Sequence, residues 1–101
     1  MAQFDVFRTR GAAIYPLVVD IQADFHATLV TRLVVQMVAR ARYAQPATRL
    51  TPVLKIRDAE YVMLFPLMAA VPGASLGEVV TSVAPERALL IAALDLLITG
   101  S

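Results

Sequence analysis

The chain has 101 residues, a net charge of +1, 58% apolar residues and no cysteine. The length fits one domain, 1–101, and the missing thiols exclude disulfides, thiolate metal sites and cysteine nucleophiles together. Apolar content above the usual ~45–50% in a short chain points to an obligate oligomer that completes its core across a subunit interface. The near-neutral charge, with arginines scattered from Arg8 to Arg87, argues against direct nucleic-acid binding.

From Gln3 to Phe7, Phe4 and Val6 alternate with Gln3 and Asp5, the period-two pattern of a half-buried strand. Thr9 to Ala13 breaks the pattern, with Gly11 suited to a hairpin turn. Tyr15 to Ile21 is rich in β-branched residues and reads as the second strand, with Pro16 near its start. Residues 22–28 form a loop. Leu29 to Ala39 suits a buried strand or a short helix, and its valines favour strand. After the polar connection 40–48, two strands are expected, Leu50–Ile56 and Glu60–Leu64, turning at Arg57-Asp58. Pro66 and Val71-Pro72-Gly73 set off the next segment, and Leu76 to Val83 bridges into a helix over Pro85–Ile98. Pro85 suits the first helical turn, Glu86 complements the dipole there, and Gly100 is a C-terminal stop.

From Ala88 to Ile98 that helix has Asp95 as its one polar residue. A helix apolar nearly all round needs cover on most sides, and so short a chain offers little, so part of it is expected to face a second protein. The run is about eleven residues long, short of the roughly 20 that span a bilayer. The N-terminus does not resemble a secretory signal, with no basic leader and no long apolar stretch, so a bacterial-type cytoplasm is expected.

Gln3-Phe4-Asp5-Val6, Leu17-Val-Val-Asp-Ile-Gln-Ala-Asp24, Arg32-Leu-Val-Val35, Leu50-Thr-Pro-Val-Leu-Lys-Ile56, Met68-Ala-Ala-Val-Pro72 and Gly77-Glu-Val79, in this order and spacing, resemble the CcdB family over essentially the whole chain. The resemblance implies a mainly β fold with a C-terminal α-helix: an SH3-like, CcdB/MazF-type antiparallel barrel with a small accessory sheet, forming a symmetric homodimer. It implies a non-enzymatic toxin that binds the DNA gyrase A subunit and traps the cleaved DNA–gyrase complex. A CcdA-like antitoxin neutralises it and joins it in repressing the operon, so DNA is met only through that complex. No cofactor, metal or membrane is implied.

The family's gyrase contact maps onto Phe25, His26, Asp95, Thr99, Gly100 and Ser101. The family ends Trp-Gly-Ile where this chain has Thr99-Gly100-Ser101, so only the glycine is kept, and a cation–π surface worth roughly 0.5–2 kcal/mol is absent. Asp95 reads either as part of that contact or as a solvent-facing residue or counter-charge to Arg87 or another arginine. Phe25 is either tucked under the barrel or exposed as a contact. His26, the single histidine, reads as a solvated loop residue and has no metal-ligand spacing around it. Arg8, Arg10, Arg40, Arg42 and Arg49 either solvate loops or grip an acidic antitoxin tail through guanidinium forks. Two alternatives stay open: a CcdB-like dimer with altered or lost gyrase activity, and a MazF/Kid-type ribonuclease in which Asp24, His26 and Arg32 form the nearest trio.

Overall fold

A computed structural model describes residues 2–10, 16–23 and 30–100. Six strands, β1 (Asp5–Thr9), β2 (Leu17–Asp20), β3 (Thr31–Ala39), β4 (Val53–Ile56), β5 (Ala59–Pro72) and β6 (Leu76–Ser82), precede one helix, α1 (Arg87–Thr99). They form one antiparallel sheet in the order β4-β5-β3-β2-β1-β6. The sheet curls until its edges approach: Arg57, in the β4–β5 turn, donates from Nη2 to the Val80 carbonyl on β6 at 3.1 Å. The result is a nearly closed barrel, the mainly β architecture expected from the sequence.

Alternation sorts the side chains onto two faces. Val6, Val19, Val35, Met37, Met63 and Phe65 fill the barrel, with Phe4, Leu54, Ile56 and the helix residues Leu90 and Ala93 in the same cluster. Their neighbours Phe7, Val18 and Val34 point the other way and make a second cluster with Leu76, against which Val71 packs. A residue-by-residue switch of face is what a strand with period two requires. The second cluster needs something to cover it, and the outer ends of β3 and β5, Thr31–Val34 paired with Ala69–Pro72, supply Val34 and Val71. These ends continue the barrel strands, and all six strands lie in one sheet, so the small accessory sheet that the resemblance implied does not stand as a separate sheet among the described residues.

The largest departure from sequence expectation is β5, which runs 14 residues straight through Pro66. Val34 pairs with Ala69 and Gln36 with Leu64, so the ladder breaks where Pro66 sits. A residue without an N–H is tolerated at such an irregularity, and the break lets one long strand serve both barrel and extension. The first strand also lies later than expected, with Thr9 paired to Leu76 and Gln3 outside it. The ambiguous 29–39 segment is strand from Thr31. Gly11 and Tyr15 fall outside the described residues.

Two irregularities separate β1 from a regular pairing with β6: the steps from Val6↔Thr81 to Phe7↔Val79 and from Phe7↔Val79 to Thr9↔Leu76 each take up one extra residue on the β6 side. Gly77 sits in the second, where a Cβ would lie 2.7 Å from the Arg8 carbonyl oxygen. Backbone cannot retreat as a flexible side chain does, so Gly77→Ala is expected to destabilise the fold by about 1–3 kcal/mol. Equilibrium urea denaturation checks this, and an unchanged midpoint would show that β6 shifts freely.

The chain enters the helix through a 3-10 turn, Ala84–Glu86, so Pro85 lies just before α1 and not within its first turn. Gly100 stops the helix as expected, in the left-handed region at φ 79°, its N–H donating to the Leu96 carbonyl at 3.1 Å.

Candidate functional site

Helix α1 places one stripe on the barrel. Leu90 and Ala93 are buried, and Ile91, Leu94 and Leu97 pack partly against the core. The spacing 90, 93, 94, 97 is the i, i+3, i+4, i+7 pattern of a helix face. The other side stays open: Leu89 is 40% and Ile98 64% exposed, and Ala92, Asp95 and Thr99 are exposed with them. The sequence expectation of a helix with more apolar surface than its own barrel covers therefore holds in this chain.

Three of the six expected target-contact residues are described. Asp95, Thr99 and Gly100 lie together at the exposed end of α1. Asp95 and Thr99 share a face, one turn apart, and the Thr99 hydroxyl donates to the Asp95 carbonyl at 2.7 Å. Arg87 does not meet Asp95; its guanidinium lies over the Phe4 ring, 5.9 Å from the centroid. Phe25, His26 and Ser101 lie outside the described residues.

The five arginines differ in what they hold. Arg8 and Arg10 stand on and just after β1; the Arg8 Nε donates to Glu78 at 2.9 Å and the Arg10 Nε to the Leu76 carbonyl at 2.9 Å. Both Arg8 and Glu78 are largely exposed, so their pairing is screened and contributes little. Arg40 is taken up locally, donating from Nη1 to the Tyr43 carbonyl at 2.9 Å. Arg42 and Arg49 are exposed and line two open hollows of about 430 and 510 Å³. The first contains Val38, Tyr43 and Leu67 and the second Pro52, Val53 and Leu89, and neither lining includes an acid. Register places Arg8 opposite Leu17 and Leu17 opposite Met37, so Arg8, Arg10 and Arg40 come to the same end of the sheet. The Arg42 and Arg49 hollows combine positive charge with apolar walls, the combination an acidic, partly apolar peptide segment needs.

Arg32 is not at the surface. It is 1% exposed, and its Nε and Nη2 reach Asp20 Oδ2 at 2.8 and 2.7 Å; Asp20 is itself fully buried. A guanidinium committed to an internal carboxylate is unavailable to a phosphate, which removes one member of the Asp24, His26, Arg32 trio. Asp24 and His26 fall outside the described residues. Sequence reasoning missed this pair. Its signal was present: a charge closes the apolar run Leu17-Val18-Val19, and another opens Leu33-Val34-Val35.

Among the described residues no cluster of three His, Asp or Glu side chains has the arrangement of a metal site, and no helix is long and apolar enough to cross a membrane.

The family model described as CcdB protein matches residues 3–100. No curated protein matches the chain. The match takes in all six strands and the helix through its Gly100 stop, and with it the chain belongs to the CcdB family, the toxins of toxin–antitoxin systems.

Proposed function

We propose that this chain is a single-domain, cytoplasmic homodimeric toxin that binds the DNA gyrase A subunit, traps the cleaved DNA–gyrase complex, and is neutralised by a CcdA-like antitoxin with which it represses its operon. The carrying observation is the outer side of α1, where Leu89 and Ile98 remain exposed and lead to the Asp95, Thr99 and Gly100 end. Part of that apolar side is the surface a second copy covers, and a two-fold dimer then offers the same helix end twice to a two-fold target. Phe25, His26 and Ser101 complete the target contact. The toxin acts by binding and catalyses nothing itself. The antitoxin is held by Arg8, Arg10, Arg40, Arg42 and Arg49, with Arg42 and Arg49 supplying the hollows into which apolar side chains of an acidic segment fit.

Expression in a gyrase-sensitive bacterium, beside an isogenic strain whose gyrase A subunit resists this toxin family, tests the reading. Growth arrest in the sensitive strain alone is expected; arrest in both would place the target elsewhere, and cleavage of purified RNA would point to a ribonuclease. Thr99→Trp supplies the aromatic face that the family has at this position. It is expected to tighten binding to the gyrase A subunit several-fold, consistent with about 0.5–2 kcal/mol for a cation–π contact. Unchanged affinity in a titration would show that the helix end contacts its target differently.

A further inference from the structure

Asp20 and Arg32 are the buried charged residues among those described. Burying two charges costs several kcal/mol per ion, and well-packed apolar residues often replace such a pair without loss of stability. Holding β2 to β3 does not require them, because Leu17↔Met37 through Asp20↔Val34 already form a regular ladder. What the pair adds is direction. Arg32 Nε donates to Asp20 Oδ2, with Nη2 at ion-pair distance from the same oxygen, and this fixes the carboxylate so that Oδ1 accepts the Gln22 N–H at 2.9 Å. Gln22 in turn accepts the Leu33 N–H on its Oε1 at 3.0 Å, and Ile21 donates to the Leu33 carbonyl at 3.0 Å. The backbone leaving β2 is thereby turned into one orientation.

That orientation is passed on. The Asp20 carbonyl accepts the Phe4 N–H, and the Phe4 carbonyl accepts the Val83 N–H at 2.8 Å, one residue before the turn that starts the helix. Phe4 has φ 69°, a left-handed conformation that a bulky residue keeps only when its surroundings impose it. The two backbone hydrogen bonds impose it from either side. The Phe4 ring shares the core with Val83, Leu90 and Ala93 and lies under the Arg87 guanidinium. A chain of hydrogen bonds and packing thus runs from the buried ion pair to the base of α1.

We propose that Asp20 and Arg32 are positioning residues that set the placement of helix α1, and so of its exposed end, through Phe4 and Val83. The effect on target binding rests on the reading that this end contacts the gyrase A subunit; the effect on helix placement does not.

The test uses the full chain carrying Asp20→Leu and Arg32→Met together, read by amide hydrogen exchange and by titration against the gyrase A subunit and a CcdA-like antitoxin peptide. Exchange at Phe4, Gln22 and Val83 is expected to speed up about tenfold or more relative to Val35, Met37 and Val62, whose rates stay at the wild-type value. Gyrase A affinity is expected to fall by about tenfold, as when a contact surface loses preorganisation, with antitoxin affinity unchanged. Uniform acceleration at all six amides would mark a merely structural pair and overturn the proposal, as would wild-type exchange at the first three. If the wild-type chain fails to bind the gyrase A subunit, the target reading falls while the exchange pattern still decides the positioning role. Arg32→Lys carries the same test should the double variant not fold, since it keeps the charge and loses the fork; wild-type exchange and affinity there would equally overturn the proposal.

Discussion

Arg32→Met alone is expected to be among the most damaging single substitutions in this chain, costing about 3–5 kcal/mol, because it leaves the Asp20 carboxylate buried with its charge partner gone. Asp20 has no exposed surface and its Oδ2 lies within 2.8 Å of Arg32 Nε and 2.7 Å of Nη2, so water cannot replace the guanidinium without opening the β2–β3 end. Against a total stability of about 5–15 kcal/mol for a domain of this size, the loss removes a large share of the margin. The melting temperature is expected to fall by more than about 10 °C, since each kcal/mol shifts a domain of this length by about 4–8 °C. Adding Asp20→Leu to the same chain is expected to recover most of the loss, because the second change removes the stranded charge. Thermal melts of wild type, single and double variants read both effects. A single variant within about 1 kcal/mol of wild type would mean that the carboxylate is hydrated or neutralised, and the positioning argument would lose its starting point.

The same pair shows where a sequence stops being readable. Alternation in Phe4-Asp5-Val6 and valine density in 33–38 announce strands because a pleated backbone sends successive side chains to opposite faces, a property local to each segment. The helix and its Gly100 stop are local as well, resting on a run from Ala88 to Ile98 whose one charge is Asp95 and on a residue that tolerates φ 79°. The family resemblance added the order of the elements, the dimer and the surfaces to look for. Asp20 against Arg32 is not local: each charge sits at a strand end, where a sequence reader expects solvent, and only the β2–β3 register brings them together inside. Pro66 misled for a related reason. Proline marks a break in a ladder, and the ladder does break there, but β5 continues beyond because β3 resumes pairing from Val34. Of the residues that the family resemblance assigns to target contact, Asp95, Thr99 and Gly100 could be placed on the helix end from the sequence, whereas the five arginines divided only once their partners were seen: Arg8, Arg10 and Arg40 are held by neighbours, and Arg42 and Arg49 face open hollows.

Leu90→Ala and Ile98→Asp are expected to fail in opposite ways, and the contrast locates the second copy. Leu90 is 1% exposed, inside the cluster that joins α1 to Phe4, Phe65 and Val83. Truncation there opens a cavity and costs about 2–5 kcal/mol, read as a lower denaturation midpoint at any protein concentration. Ile98 is 64% exposed in the single chain, so a charge at this position costs its own fold within about 0.5 kcal/mol. If the outer side of α1 is where two copies meet, the same aspartate is desolvated twice in a symmetric interface, once from each subunit. Ile98→Asp is then expected to leave a folded chain that sediments as a monomer at concentrations where wild type is dimeric, with a melting temperature that no longer rises with concentration. An Ile98→Asp protein that still sediments as the wild-type dimer would move the interface away from the helix. The open apolar side of α1 would then belong wholly to the target, because Leu89 and Ile98 stay exposed on their own barrel.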